Sequence, residues 1–136
     1  MSRKIPAIAA DCVVFDAHDR LLLVRRRNPP FQGQFALPGG FVEYGEETEA
    51  AASRELNEET GLRARALHLV GVYSRPDRDP RGHTISVAYL IAADAQSPQA
   101  GDDAASAEFR ADWRELKLAF DHNQIVADAV QLRGGK

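Results

Sequence analysis

The chain has 136 residues, and 17 basic against 20 acidic side chains leave a net charge of −3. With 44% hydrophobic residues it can fill one core, whereas a disordered chain combines low hydrophobicity with high net charge. No apolar run approaches the roughly 18 residues of a membrane span, and there is no basic excess for nonspecific polyanion binding, so neither a membrane nor a nucleic acid is expected as a partner.

A strand is expected over Ile8 to Asp16, rich in Val, Ile and Phe. It holds the one cysteine, Cys12, whose apolar neighbours predict a buried structural thiol. A chain without disulfides fits a reducing compartment, so a cytoplasmic location is expected. Pro6 and Asp11 interrupt the apolar lead-in that a secretory signal would need. A second strand is expected over Leu21 to Arg27, paired with the first as a hairpin across the turn at 17–20. Asn28-Pro29-Pro30 stops it, because proline lacks the backbone donor. Leu37-Pro38-Gly39-Gly40 reads as a loop in which glycine lets the backbone approach another group closely.

Glu47 to Thr60 is the clearest helix, rich in Ala and Glu, with Gly61 placed for a left-handed C-terminal cap. Strands are expected over Arg65 to Ser74 and Thr84 to Ala92, joined by a charged loop over Arg75 to Gly82. A polar loop over Gln96 to Ala105 precedes a strand over Phe109 to Leu116. The last helix starts at Asp121, where Asp121 and Gln124 have capping-box spacing and Ile125, Val126, Ala129 and Val130 form an apolar stripe. Strands with two helices give an α+β class.

The helix carries the chemistry. At about 100° per residue, Glu55, Glu58 and Glu59 fall within one sector of about 100°. Three carboxylates there repel one another, in the half of the helix where the macrodipole favours cations. Such a cluster is either a solvated acidic face or a site for a hard divalent cation, which takes oxygen ligands.

The wider spacing separates these readings. Gly40, five residues, Glu46, seven residues, then Arg54-Glu55-Leu56-Asn57-Glu58-Glu59-Thr60-Gly61-Leu62 resembles the Nudix box at all nine of its defined positions. The surrounding elements resemble the Nudix domain over essentially the whole chain, so residues 1–136 are expected to form one domain, an α/β/α sandwich around a mixed β-sheet. The family hydrolyses a nucleoside diphosphate linked to another moiety, using Mg²⁺ or Mn²⁺. The resemblance makes Glu55, Glu58, Glu59 and the Gly40 carbonyl metal ligands. Glu46 becomes a ligand or a helix cap, and Arg54 the group that orients the carboxylates. The general base is expected to be Glu58 or Glu59, with Asp103 of the later loop as an alternative.

Other segments bear on the substrate. Residues 35–46, 78–86 and 118–122 resemble the ADP-ribose pyrophosphatase branch, whose products are AMP and ribose 5-phosphate. Arg25, Arg27 and Arg81 are candidate phosphate clamps, and Tyr44, Phe35 and Tyr73 candidate adenine platforms. Two further readings stand: the same fold hydrolysing oxidised nucleoside triphosphates, and a sensor domain that binds ADP-ribose without turnover. ADP-ribose hydrolases of this kind are commonly homodimers, so a homodimer is expected.

Overall fold

The computed structural model describes residues 4–94, 97–101 and 104–134. In chain order the elements are β1 (Ala7–Val13), β2 (Leu21–Arg26), β3 (Phe35–Ala36), β4 (Gly39–Phe41), α1 (Thr48–Thr60), β5 (Ala64–Tyr73), β6 (Thr84–Ala93), β7 (Ala104–Arg110), a 3₁₀ turn (Trp113–Glu115) and α2 (His122–Leu132). They build two sheets, one ordered β4-β1-β6-β5 and the other β3-β2-β7. The first is mixed, because β1 runs parallel to β6 and antiparallel to β4.

Strand β1 is the structural axis. Successive side chains of a strand point to opposite faces. Ala10, Cys12 and Val14 accordingly pack with Ala51, Ala52 and Leu56 of α1, whereas Val13 packs with Ile125, Val126 and Ala129 of α2. The helices thus cover opposite faces. The Cys12 thiol is fully buried and donates to the Ala52 carbonyl at 3.3 Å, the structural role expected of it. Burial pushes its pKa up, which suits an inert thiol. Helix α1 ends as its sequence requires: Gly61 takes φ 76°, and its N–H donates to the Asn57 carbonyl at 2.8 Å.

Four expectations change. β1 and β2 do not form a hairpin. They lie in different sheets, and among the described residues their ladder is a single bridge at Phe15 and Leu21, flanked by the Leu22 N–H to the Val14 carbonyl at 2.9 Å and the Asp16 N–H to the Arg20 carbonyl at 3.0 Å. The cause is the run Leu21 to Val24, buried on every face, which needs cover on both sides rather than one paired face. Gly39–Phe41 is not loop but strand β4, registered against Ala9–Asp11. The strand expected over 109–116 instead runs from Ala104 to Arg110 and gives way to the 3₁₀ turn, whose Trp113 indole donates to the Asp19 carbonyl at 2.9 Å. The Asp121 side chain makes no cap bond, because both its oxygens accept from Arg78, 43 residues away.

Candidate active site

Between the sheets opens a cleft of about 370 Å³, of ligand size. One wall comes from α1 and β4. Arg54 organises it: Nε and Nη2 hold both oxygens of Glu46 at 2.8 and 3.0 Å, while Nη1 reaches Glu55 at 2.6 Å and Glu58 at 3.0 Å. The same Nη2 donates to the Phe41 carbonyl at 3.0 Å, tying the helix to the end of β4. Arg54, and then the Glu43 N–H, hold the Glu46 carboxyl down at about 2. Glu46 is therefore committed to Arg54 and does not line the cleft; nor does Glu58, about half exposed beside the same guanidinium.

Gly40, Glu55 and Glu59 do line it. A side chain at Gly40 would place its Cβ 2.5 Å from the Glu55 carboxyl carbon, so only glycine leaves that carboxylate its room. Burial first, then the charge of Glu55, pushes Glu59 up to about 9. A solvated acidic face would not do this. Two carboxylates crowded into a partly desolvated cleft, beside a strand carbonyl at Gly40, form a donor set suited to a hard divalent cation, whose charge would relieve their repulsion. With Glu58 turned to Arg54, no three acidic, histidine or cysteine side chains converge as a ready-made cluster among the described residues. The residues therefore fit a cation that draws them together.

The opposite wall is cationic. Arg26 is half-buried over the Phe120 ring at 5.0 Å, and its Nε donates to the Pro30 carbonyl at 2.7 Å. Burial and then the nearby Arg81 charge lower its pKa, the mark of two cations brought together where an anion would relieve both. Arg81 is held by Asp79 at 2.8 Å and lies 5.6 Å from each of the Phe41 and Phe120 rings. Burial would raise the Asp79 carboxyl, but its bonds from Arg81 hold it below the ordinary value. Arg78, 4% exposed, is a strut between Asp121 and Ser86.

Of the other expected substrate residues, Arg25 and Arg27 reach the rim. Arg25 stacks 4.3 Å over Phe35 and bonds the Gly33 carbonyl at 2.8 Å; Arg27 bonds the Ala104 carbonyl at 3.0 Å. Tyr44 is fully exposed and not on the cleft, Phe35 is in the core, and the Tyr73 hydroxyl donates to Asp128 at 2.7 Å. Asp103 lies outside the described residues. Sequence reasoning missed Arg26. It stands between the two arginines chosen, and strand alternation puts it on the face of Val24, which lines the cleft, while Arg25 points outward.

The NUDIX domain description matches residues 5–132. The chain belongs to the Nudix family. This Nudix domain is 50% identical over 131 residues to the ADP-ribose pyrophosphatase of Methanocaldococcus jannaschii, covering 96% of the present chain and 76% of the archaeal one. It superposes on the NUDIX domain of Shewanella oneidensis NrtR complexed with ADP ribose with a TM-score of 0.88 and 31% identity, over 95% of this chain and 89% of that one. A bifunctional NMN adenylyltransferase/ADP ribose pyrophosphatase from Francisella tularensis, complexed with AMP and a manganese ion, matches with a TM-score of 0.84 and 30% identity. That match covers 98% of this chain and 44% of the longer protein.

Proposed function

We propose that the chain hydrolyses the pyrophosphate bond of ADP-ribose, giving AMP and ribose 5-phosphate, with Mg²⁺ or Mn²⁺ as cofactor. The observation that carries this reading is the pairing of two walls across one cleft: Glu55, Glu59 and Gly40 face the cationic wall of Arg26 and Arg81. A pyrophosphate bridging a cation to arginines satisfies both walls at once. The half-identity to an archaeal ADP-ribose pyrophosphatase supports the choice of substrate.

Glu55, Glu59 and the Gly40 carbonyl would hold the cation, with Glu58 joining them on release from Arg54. When bound, it supplies charge neutralisation of the phosphates and a lower pKa for water. The chain's own residues do the rest. Arg26 and Arg81 grip the phosphate oxygens with charge-assisted bonds and gather the negative charge that develops on the leaving side. Arg54 holds Glu46, Glu55 and Glu58 together against mutual repulsion until the cation takes over part of that charge. The carboxyl of Glu58 or Glu59 accepts the proton of the attacking water at a side-chain oxygen; Asp103 remains the alternative acceptor from the later loop. A homodimer is part of this proposal, supported by exposed Leu69 and Val72 on the outer strand β5.

Purified protein incubated with ADP-ribose and either cation, with products resolved by chromatography, tests the reading. Stoichiometric AMP and ribose 5-phosphate are expected. A sensor that binds without turnover is the second reading, favoured by the likeness to the NrtR domain. Tight ADP-ribose binding by calorimetry, with no product formed at any cation concentration, would establish it instead.

A further inference from the structure

The floor of the cleft holds a polar pair that the acidic motif does not include. Asp11 sits in the middle of β1, a position where aspartate is normally depleted. Its neighbours Ala10 and Cys12 face α1, so Asp11 faces the other way, toward the first turn of α2, where His122 begins the helix. Both side chains line the cleft and both are more than nine-tenths buried. Asp11 Oδ2 is buried and has no hydrogen-bond partner among the described residues, where buried polar atoms are normally paired.

The histidine is oriented. Its Nδ1 accepts from the Leu37 N–H at 3.0 Å, so in the neutral ring Nε2 carries the proton. Nε2 lies 3.9 Å from Asp11 Oδ2. That is too long for a direct hydrogen bond, but one oxygen atom seated to the side of the line joining them reaches both at about 2.8 Å. The oxygen must donate to the carboxylate and accept from the imidazole. A phosphate oxygen cannot donate and is repelled by Asp11; a metal cation faces an N–H on one side. An alcohol hydroxyl meets both demands, as does a water that such a hydroxyl would displace. The Phe120 ring, 5.3 Å from the His122 ring, adds an apolar surface for the carbon face of a sugar. On the neighbouring strand a Cβ at Gly39 would collide with both the Ala10 carbonyl and Asp11 Oδ1, so glycine there allows the close approach of β4 and leaves the carboxylate in place.

We propose that Asp11 and His122 form a sugar-hydroxyl subsite that reads one ribose hydroxyl of the substrate. The proposal rests on ADP-ribose, or a close relative with a free ribose, being that substrate. The hydroxyl belongs to either the adenosine ribose or the distal ribose, and the test separates the two.

The experiment compares kcat/KM for ADP-ribose and for analogues lacking one hydroxyl on either ribose, in the wild type, Asp11→Asn and His122→Gln. For one analogue the wild type should lose about 10- to 100-fold, the range for hydrogen bonds to charged groups. Both variants should show a loss of similar size on ADP-ribose but little further loss on that analogue, the non-additivity of groups that touch. Which analogue behaves this way identifies the ribose. Losses that multiply for every analogue would overturn the subsite and leave the pair as a holder of buried water. Mn²⁺ affinity, read by electron paramagnetic resonance, should change less than about threefold in Asp11→Asn; a tenfold weakening would make Asp11 a metal ligand and overturn the proposal. If only one variant folds, that variant carries the same comparison. A wild type inactive on ADP-ribose overturns the substrate reading itself, whereas an active wild type with multiplying losses overturns only the subsite.

Discussion

At Glu59 the consequences of burial and charge meet. Burial and Glu55 favour its neutral form, and glutamine keeps that shape without the acid. We expect Glu59→Gln to melt at or above the wild-type temperature without metal, to lose the Mn²⁺-dependent rise in Tm, and to lower kcat by at least about 10²-fold. Glu58→Gln should also lower kcat, by about 10²-fold if it accepts the proton. Near-normal turnover in both would return the cluster to a solvated acidic face. The arginines separate differently. Arg26→Ala and Arg81→Ala should each weaken kcat/KM on ADP-ribose by about 1.5–3 kcal/mol, whereas Arg25→Ala, stacked on Phe35 at the rim, should cost under about 1 kcal/mol. Steady-state kinetics of the three variants decide between the inward and outward arginines. Nothing in the run Arg25-Arg26-Arg27 announces which one turns in; the face that Val24 takes in the fold decides it.

Among the elements, α1 was the most legible, because its composition, its capping glycine and the spacing of its acids all depend on neighbours within a few residues. Its apolar stripe should behave as ordinary core: Leu56→Ala removes a fully buried side chain and should cost about 2–5 kcal/mol, read by denaturant unfolding. The start of α2 was misread for the opposite reason. Asp121 has the local signature of a cap, but a residue 43 positions away claims it. The same turn gives a pH dependence. Burial holds the His122 ring below its ordinary 6.5, against the opposing pull of Asp11 and Asp121, with Arg78 and Arg26 adding to the depression. An unfolded histidine takes up its proton near 6.5, so this group's contribution is complete above that pH and is lost as pH falls toward the folded value. Tm should therefore decline as pH falls below about 6.5, before the arginine-held carboxylates titrate, and His122→Gln should flatten that part of the profile.

For the molecule as a whole, the α+β class, two helices and the acidic motif could be read from the chain, while the allocation of strands to sheets could not. Leu21 to Val24 carries no alternation, so its pattern says only that it is buried, not which strand it pairs with. Asp11 was legible as a polar residue in an apolar strand, yet its meaning depends on His122, which only the fold brings near. Tyr73 and Phe35 look like ring platforms in the sequence, and the fold spends one on an aspartate of α2 and the other on the core.

The single bridge at Phe15 and Leu21 has a dynamic consequence. The acidic wall is anchored to one sheet and Arg26 to the other, and the described ladder from β1 to β2 is this one bridge with its two flanking amides, those of Asp16 and Leu22. Apolar packing, which is not directional, holds the remainder. The two walls can therefore breathe about that seam without breaking a continuous hydrogen-bonded ladder, and a ligand gripping both would act as a clasp. The Leu22 amide becomes its reporter. Its deuterium exchange should slow at least about tenfold when AMP and metal bind together, while amides in the middle of β6, inside one sheet, change little.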